Sequence, residues 1–393
     1  MPAPATSTAL PRFVLLYAAM YAAFGVASPF LPAFVSERGL PPEQLGLVLA
    51  AGTATRLLSA PLAGRIGDLL QALRTVLVTT TALAAMVTLG YLPAHGFWAF
   101  LVLSLLHAAA LAPVTIVADA LALGAASPPP GSGRKGFEYG WVRGTGSAAF
   151  IAGTLLSGQA VSAYGLDVIV WLQATLLAAA AFAALVVPEL VRARTAEAAR
   201  APAGGFLLLL RLPPFRNIVL VAALILGSHA MHDAFAVIRW SAAGIDPATA
   251  SLLWSESVAA EVVVFFVVGP ALVRRLTPAG ALAVAALAGM LRWAVMAQTA
   301  EVMALALVQP LHGITFALLH LACMRLIASV VPPGLEGTAQ ALYGTVGIGA
   351  ASALLTLVSG LLFARFGAQG FWIMGALCAV ALPLTLTLRG VSR

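Results

Sequence analysis

Several ionisable side chains lie inside long apolar stretches, among them Asp119, Arg143, Glu261, Arg292 and His312. A charge at the centre of a bilayer costs roughly 2.5–3.5 kcal/mol even on the lenient insertion scale, so such groups are expected to face a polar cavity and to have partners. The proton affinity of a carboxylate changes with burial and with neighbouring cations. The combination therefore predicts reversible proton binding and recognition of an anionic or hydroxyl-bearing molecule.

Asp119 and Arg143 are expected to meet, because they lie in the fourth and fifth apolar stretches, which a hairpin connects. A direct pair would lower the cost of both charges. It would serve either as a structural ion pair between helices or as a substrate clamp. In the same fifth stretch Gly140, Gly144 and Thr154 are small residues, and we expect them to allow close approach of a neighbouring helix.

Histidines cluster in the C-terminal half. His229, His232 and Asp233 occupy positions i, i+3 and i+4, so they share a helix face. A metal site would need a fourth ligand, which is not in view, so we expect a polar cavity face or a wet outer mouth instead. His312 shares a face with Thr315, and we expect its ring to line water rather than lipid.

The composition indicates which elements must position these residues. Of the 393 residues, 61% are hydrophobic and 9% are charged, and the mean hydropathy is +1.00. A soluble domain has roughly 25% charged residues. The net charge of +7 lies in short loops rather than in a patch, which argues against nucleic-acid binding. These features predict an all-α membrane protein without a metal site, disulfide framework or cofactor.

Twelve apolar stretches are each about as long as a bilayer-spanning helix. They are 12–35, 44–62, 74–92, 97–123, 138–163, 168–187, 217–240, 249–273, 279–299, 302–329, 338–363 and 370–388. The longest connection divides them into an N-terminal six-helix bundle (1–187), a cytoplasmic linker (188–216) and a C-terminal six-helix bundle (217–393).

Basic residues in short loops set the orientation of a membrane protein. With a cytoplasmic N-terminus, fourteen Lys and Arg lie on the inner side and three on the outer side. Both termini are therefore predicted to be cytoplasmic, in a bacterial-type inner membrane.

The loop 61–74, PLAGRIGDLLQALR, resembles the signature loop of major facilitator transporters at Gly64, Gly67, Asp68 and Arg74. Segment 269–280 repeats its pattern of Gly and Pro followed by basic residues. This resemblance implies the major facilitator fold, with two pseudo-symmetric six-helix bundles. Asp68 and Arg74 then form either a cytoplasmic latch or a polar turn that fixes topology.

Segment 137–147, FEYGWVRGTGS, resembles the fifth helix of lactose permease type proton symporters. By that resemblance Arg143 falls on the sugar-binding arginine, Glu261 on an acidic residue of the eighth helix, and Arg292 with His312 on an Arg and a His of helices nine and ten. The family's proton-carrying glutamate would fall on Thr315.

The phenylpropionate permease group is a closer likeness and covers essentially the whole chain. Its shared motifs are Arg56 before Pro61 and Gly64, then YGxVR (139–143), AEVVVFF (260–266), LRW (291–293), LHGxTF (311–316) and GTAQALY (337–343).

We therefore expect proton-coupled uptake of a small organic solute, an aromatic or other small carboxylate, by a monomeric carrier that is not an enzyme. The alternatives are a sugar or nucleoside symporter and a drug/proton antiporter. Predicted substrate contacts are Arg143, Asp119, Arg292, His312, Phe150 and Tyr343. Predicted proton carriers are Glu261, His312 and Asp119, and predicted gating or structural residues are Asp68, Arg74, Gly64 and Arg56.

Overall fold

A computed structural model describes residues 9–70, 72–128, 135–189 and 205–390, apart from the side chains at positions 64, 67, 68 and 70. These residues form helices joined by turns, with no strand among them. This all-helical structure confirms the predicted fold class.

The helices before the linker are α1 (Ala9–Glu37), α2 (Pro42–Leu70), α3 (Leu73–Leu89), α4 (Gly96–Ala126), α5 (Tyr139–Tyr164) and α6 (Val168–Leu185). Those after it are α7 (Gly205–Arg211), α8 (Pro213–Gly227), α9 (Ala230–Ala242), α10 (Pro247–Val263), α11 (Gly269–Gln298), α12 (Val302–Val308), α13 (Leu311–Gly313), α14 (Leu319–Val330), α15 (Glu336–Leu342), α16 (Ala351–Phe366) and α17 (Phe371–Leu386).

Eight helical stretches are long and apolar enough to cross a membrane, by length and composition. Two of them, Pro247–Gln298 and Glu336–Leu386, are 52 and 51 residues long. One crossing needs about 20 residues, so each of these contains two spans. The backbone turns inside them at Thr277 (φ 62°) and Gly367 (φ 53°). The shorter apolar helix α3 and the 26-residue helix α5 occupy the two remaining predicted positions, so the described residues contain a helix at each of the twelve predicted spans.

Several spans are interrupted where the apolar pattern predicts continuous helices. The predicted span 217–240 is broken at Ser228 and His229, between α8 and α9. π-Helical turns occur at Val264–Val268, Ile314–Leu318 and Tyr343–Ala350. A π-turn inserts a residue into the helix and is frequent at functional sites. Each of these three turns is close in sequence to a predicted site residue: Glu261, His312 or Tyr343.

The chain forms two compact units, one of Met1–Gly39 with Ala54–Thr195 and one of Leu40–Thr53 with Ala196–Arg393. The helix α2 thus contributes its first residues to the second unit. There Gly46 packs against Gly360 of α16, and a Cβ on Gly46 would lie 2.8 Å from the Gly360 Cα. Only glycine permits backbones to approach this closely.

In the first unit, α1 packs along α5 and α6, and α3 packs against α4 and α6. The close contact of α5 with α1 uses Gly146, which lies under the Tyr21 ring, and Thr154, whose hydroxyl donates to the Gly25 carbonyl at 3.0 Å. The expectation was right for Thr154 and wrong for Gly140 and Gly144. A Cβ on either would meet open space, because they lie on another face of α5.

In the second unit, α11 packs against α17, α8 packs against α17, and α9 packs against α16. The helix α10 begins at a side-chain cap. The Asp246 carboxylate accepts hydrogen bonds from the backbone N–H of Thr249 at 3.0 Å and from its hydroxyl at 2.6 Å. These bonds lower the pKa of Asp246, because they stabilise its ionised form.

Candidate functional site

In the first unit Asp119 is held by phenols. The hydroxyls of Tyr17 on α1 and Tyr139 on α5 both donate to its Oδ1, the latter at 2.7 Å. Two O–H donors thus converge on one carboxylate oxygen. Asp119 Oδ2 takes no part in these bonds, so it is free to accept from a further donor.

Arg143 lies one turn beyond Tyr139 on α5 and donates to the hydroxyl of Tyr21, one turn beyond Tyr17 on α1. Its guanidinium carbon lies 5.3 Å from the centroid of the Tyr21 ring. The predicted direct contact between Asp119 and Arg143 was wrong. Tyr17 and Tyr139 reach Asp119 instead, and Tyr21 reaches Arg143, so the two charges are held by neighbouring tyrosines without forming an ion pair.

Phe150 lies two turns after Arg143 on α5, and its side chain is half-buried. Its backbone carbonyl packs directly against Gly25 of α1, and this contact fixes the position of Phe150 along α1. The predicted contact of Phe150 with substrate stays a prediction.

In the second unit Arg292 of α11 is fully buried, with 0% of its surface exposed. It donates to Gln309 Oε1 at 2.9 Å, to His312 Nδ1 at 3.2 Å and to His232 Nε2 at 3.4 Å. Its Nε–H has no partner. Among the described residues no carboxylate forms an ion pair with Arg292, which is unusual because a buried charge is costly unless it is paired.

Each of these two histidines also reaches a carboxylate. The Nε2 of His312 lies 3.5 Å from Glu261 Oε2, and the Nδ1 of His232 lies 3.1 Å from Asp233 Oδ1. The side chain of Glu261 is 29% exposed and that of Asp233 is 61% exposed. Glu261, His312 and Arg292 are thus brought together as predicted for neighbouring helices.

His232 is not at a wet outer mouth. Only 2% of its surface is exposed, and its ring stacks on Trp254 of α10 with centroids 4.8 Å apart. His229 is equally buried and shares a hydrogen bond of 2.9 Å with the hydroxyl of Thr315. Thr315 donates to the His312 carbonyl, so it accepts from His229. The described residues contain no group of three or more His, Cys, Asp or Glu able to hold a metal ion.

Tyr343 lies at the start of the third π-helical turn and is 2% exposed. Its hydroxyl shares a hydrogen bond of 3.2 Å with His320 Nδ1. The predicted role of Tyr343 as a substrate wall stays a prediction.

The predicted latch lies partly outside the described residues, which do not include the side chain of Asp68. Among the described residues, Arg74 contacts Glu189. The two side chains are 3.4 Å apart, and the Arg74 backbone N–H donates to Glu189 at 3.0 Å. Arg56 lies in the middle of α2 with an exposed side chain.

Sequence reasoning missed the three phenols, Tyr17, Tyr21 and Tyr139. The signal was available in their spacing. Tyr17 and Tyr21 are four residues apart, as are Tyr139 and Arg143, and residues at that spacing share a helix face. The sequence therefore indicates that Tyr17 and Tyr21 share one face of α1, and that Tyr139 shares a face of α5 with Arg143.

Comparison with solved structures defines the fold. The chain resembles a variant of the nucleoside transporter NupG, with a TM-score of 0.85 and 16% identity over 96% of this chain and 99% of that one. It also resembles a bacterial homolog of the human lysosomal transporter Spinster, with a TM-score of 0.71 and 14% identity over 100% and 98% of the two chains. The fold is that of a major facilitator transporter.

The chain belongs to the MFS_1 like family, whose model matches residues 10–374. It is 32% identical to the probable 3-phenylpropionic acid transporter of Escherichia coli (strain K12), over 93% of this chain and 94% of that protein. It is 24% identical to the maltose permease of Geobacillus stearothermophilus, over 96% and 93% of the two chains. The protein is therefore a membrane transporter of small molecules and not an enzyme.

Proposed function

We propose that the protein takes up a small organic carboxylate, of the arylpropionate kind, together with protons by alternating access. The observation that carries this proposal is Arg292, a fully buried cation with donors to neutral groups and no carboxylate of its own. The 32% identity to a probable 3-phenylpropionic acid transporter supports the choice of acid.

A carboxylate substrate would supply the anion that Arg292 lacks. Guanidinium and carboxylate match in a planar fork, and such charge-assisted bonds are about twice as strong as neutral ones. In the first unit Arg143 offers a second cation, already placed beside the Tyr21 ring. The tyrosine rings can pack against the aromatic ring of such a substrate, and their hydroxyl groups can form hydrogen bonds with its polar end. We therefore propose Arg143 and Arg292 as carboxylate contacts, with Asp119, His312, Phe150 and Tyr343 as further contacts.

The pair Glu261 and His312 is the proposed proton site. Its carboxylate is partly exposed, and its histidine is held by Arg292 from the other side. A change in the surroundings of either partner would change the proton affinity of the pair. Asp119, which accepts hydrogen bonds from two phenols, is the alternative proton carrier.

The domain boundaries, membrane orientation, oligomeric state and gating residues are also part of the proposal. The bundles are 1–187 and 217–393 with a cytoplasmic linker between them, both termini are cytoplasmic, and the carrier works as a monomer in a bacterial-type inner membrane. Protons serve as the coupling ion without a cofactor, and nucleic acid is not a partner. Arg74, Asp68, Gly64 and Arg56 would support gating, with the Arg74 contact to Glu189 as its described part.

The test is uptake into proteoliposomes of labelled 3-phenylpropionate, a nucleoside and maltose, with and without an inward pH gradient. Accumulation of 3-phenylpropionate that depends on the gradient is expected. Uptake of the acid that ignores the gradient would contradict proton coupling. Gradient-driven uptake of the nucleoside or the sugar alone would favour the second candidate, a hydroxyl-recognising symporter, for which the free Asp119 Oδ2 is the supporting feature. Exchange of a cationic drug against protons would favour an antiporter.

A further inference from the structure

The groups around Arg292 form one chain of five, Glu261···His312···Arg292···His232···Asp233, drawn from α9, α10, α11 and α13. The two ends are carboxylates and the centre is a single guanidinium. Only one of the two arms, Glu261 with His312, is used by the proposed function.

The direction of each hydrogen bond follows from the central residue. Arginine has N–H donors and no acceptor, so the histidine nitrogen that faces it must offer a lone pair. His312 Nδ1 and His232 Nε2 are therefore acceptors, and both rings are neutral. Each neutral ring carries its proton on the other nitrogen, which faces Glu261 or Asp233. The second arm thus repeats the first with the opposite ring nitrogens.

A substrate carboxylate and the two histidines would compete for the same Nη–H donors of Arg292. The two rings and Gln309 occupy the Nη donors of the fully buried Arg292, so an anion that forks onto both Nη groups displaces one or both rings. A ring that Arg292 no longer contacts can bind a proton from water at the released lone pair, and at His232 that proton also displaces the Gln309 amide. The imidazolium that forms lies beside a carboxylate, Asp233 for His232 and Glu261 for His312, and the opposite charge stabilises it.

We propose that the pair His232 and Asp233 is a second proton-binding site, so that one carboxylate is transported with two protons. One proton binds His312 Nδ1 and one binds His232 Nε2 when the anion replaces these rings on Arg292. When the anion leaves, Arg292 donates to both nitrogens again, and the two protons return to water. The inference rests on the proposed function, because it requires an anion at Arg292.

The surroundings of His232 agree with a site that is neutral when the anion is absent. From α11 it faces Arg292, and from the α12–α13 junction it faces Gln309, whose amide donates to it at 3.3 Å. From α10 the Trp254 ring covers it without a charge. His312 acts on it only at longer range, and the sole anion that contacts it is Asp233. When Arg292 no longer contacts His232, the Asp233 carboxylate is the nearest charge to the ring.

The backbone favours the same residue pair. The span Pro213–Ala242 is broken at Ser228 and His229, and His232 and Asp233 lie in the first turn of α9 after the break. Transporters of inverted-repeat folds place coupling-ion sites at discontinuous helices near mid-membrane. Asp233 is 61% exposed, so this arm has a carboxylate that water can reach.

The experiment measures how far reconstituted protein accumulates labelled 3-phenylpropionate at steady state, under a set pH gradient or a potassium–valinomycin potential. With two protons per monoanion, each pH unit gives about a hundredfold accumulation, and each tenfold step needs about 59 mV of inside-negative potential. In His232→Gln we expect about tenfold per pH unit and no response to potential. Glutamine can still accept from Arg292 but binds no proton.

Asp233→Asn is the second variant and is expected to lose the response to potential in the same way. His107→Gln is the matched control, because His107 is also buried, at 4% exposed, but lies on α4 in the other unit. It should keep both responses. Wild-type accumulation of tenfold per pH unit with no response to potential would overturn the second site while leaving proton coupling intact. No response to the pH gradient at all would refute the proposed function itself.

Two further outcomes would also overturn the second site. One is a full two-proton response in His232→Gln. The other is loss of substrate exchange between the two sides in both variants, when size-exclusion profiles show folded protein. Exchange moves no net proton, so a pure proton site is not needed for it.

Discussion

Replacing Arg292 with methionine should separate function from stability. The change removes three hydrogen bonds, to Gln309, His312 and His232, each worth about 1 kcal/mol net. It also removes a fully buried cation, whose desolvation costs several kcal/mol. Since no anion is left unpaired, the two effects nearly cancel. The free energy of unfolding should stay within about 2 kcal/mol of the wild type.

Transport by Arg292→Met should fall much further. Truncating one partner of a buried charge pair costs about 2–5 kcal/mol. At about 1.4 kcal/mol per tenfold, initial uptake of 3-phenylpropionate should fall roughly 30-fold to several thousandfold. The assays are uptake into proteoliposomes and thermal unfolding in detergent, on the same preparation.

Arg38→Met is the matched control. Arg38 is satisfied within its own unit, donating at 2.7 Å to both the Leu92 carbonyl and Asp167. Its loss should lower stability by about 1–2 kcal/mol and leave uptake nearly unchanged. If Arg292→Met unfolded well below the Arg38 variant, or transported at the wild-type rate, Arg292 would be a structural ion and the reasoning would be refuted.

Three other predictions follow from single contacts. Asp246→Ala should lower stability by about 1 kcal/mol through loss of the α10 cap. Because the pKa of Asp246 is lowered in the folded state, its contribution to the free energy of unfolding is present at neutral pH and is lost as the pH falls below the usual value near 3.8. The melting temperatures of wild type and variant should therefore converge in acid. A constant difference between them would contradict this. Gly360→Ala should cost about 1–3 kcal/mol, because its methyl group would meet Gly46, and an unchanged melting temperature would show that the helices can separate without cost. Tyr139→Phe removes one of the two donors to Asp119, a bond worth about 1 kcal/mol, and should lower the initial rate of uptake severalfold; an unchanged rate would show that this bond does not serve transport.

The sequence predicted the twelve spans because hydropathy over about 20 residues is a strong signal in a chain with so few charges. It did not predict where spans break. Gly227 and Ser228 lie in an apolar pattern that a continuous helix would share, so the break before α9 follows from tertiary packing. The Trp293 indole N–H donates to the Ser228 hydroxyl at 2.8 Å, a contact that no local pattern contains.

The candidate site was predictable in part. The charges of Glu261, Arg292 and His312 stand out because charge is rare in apolar helices. His232 was recognised as part of a polar helix face, but its burial was not predicted, because the sequence does not distinguish a buried histidine from one exposed to water. The direction of its hydrogen bonds depends on which nitrogen faces Arg292, and that is known only from atomic positions.

The division of α2 between the units has a practical consequence for dissecting the protein. A cut in the linker would give a C-terminal fragment without Leu40–Thr53, which belong to its own compact unit. The face of α16 at Gly360 would then lose the helix that covers it. Separately expressed halves should therefore be stable only when they are made together, or when the C-terminal fragment is supplied with a grafted copy of this short helix.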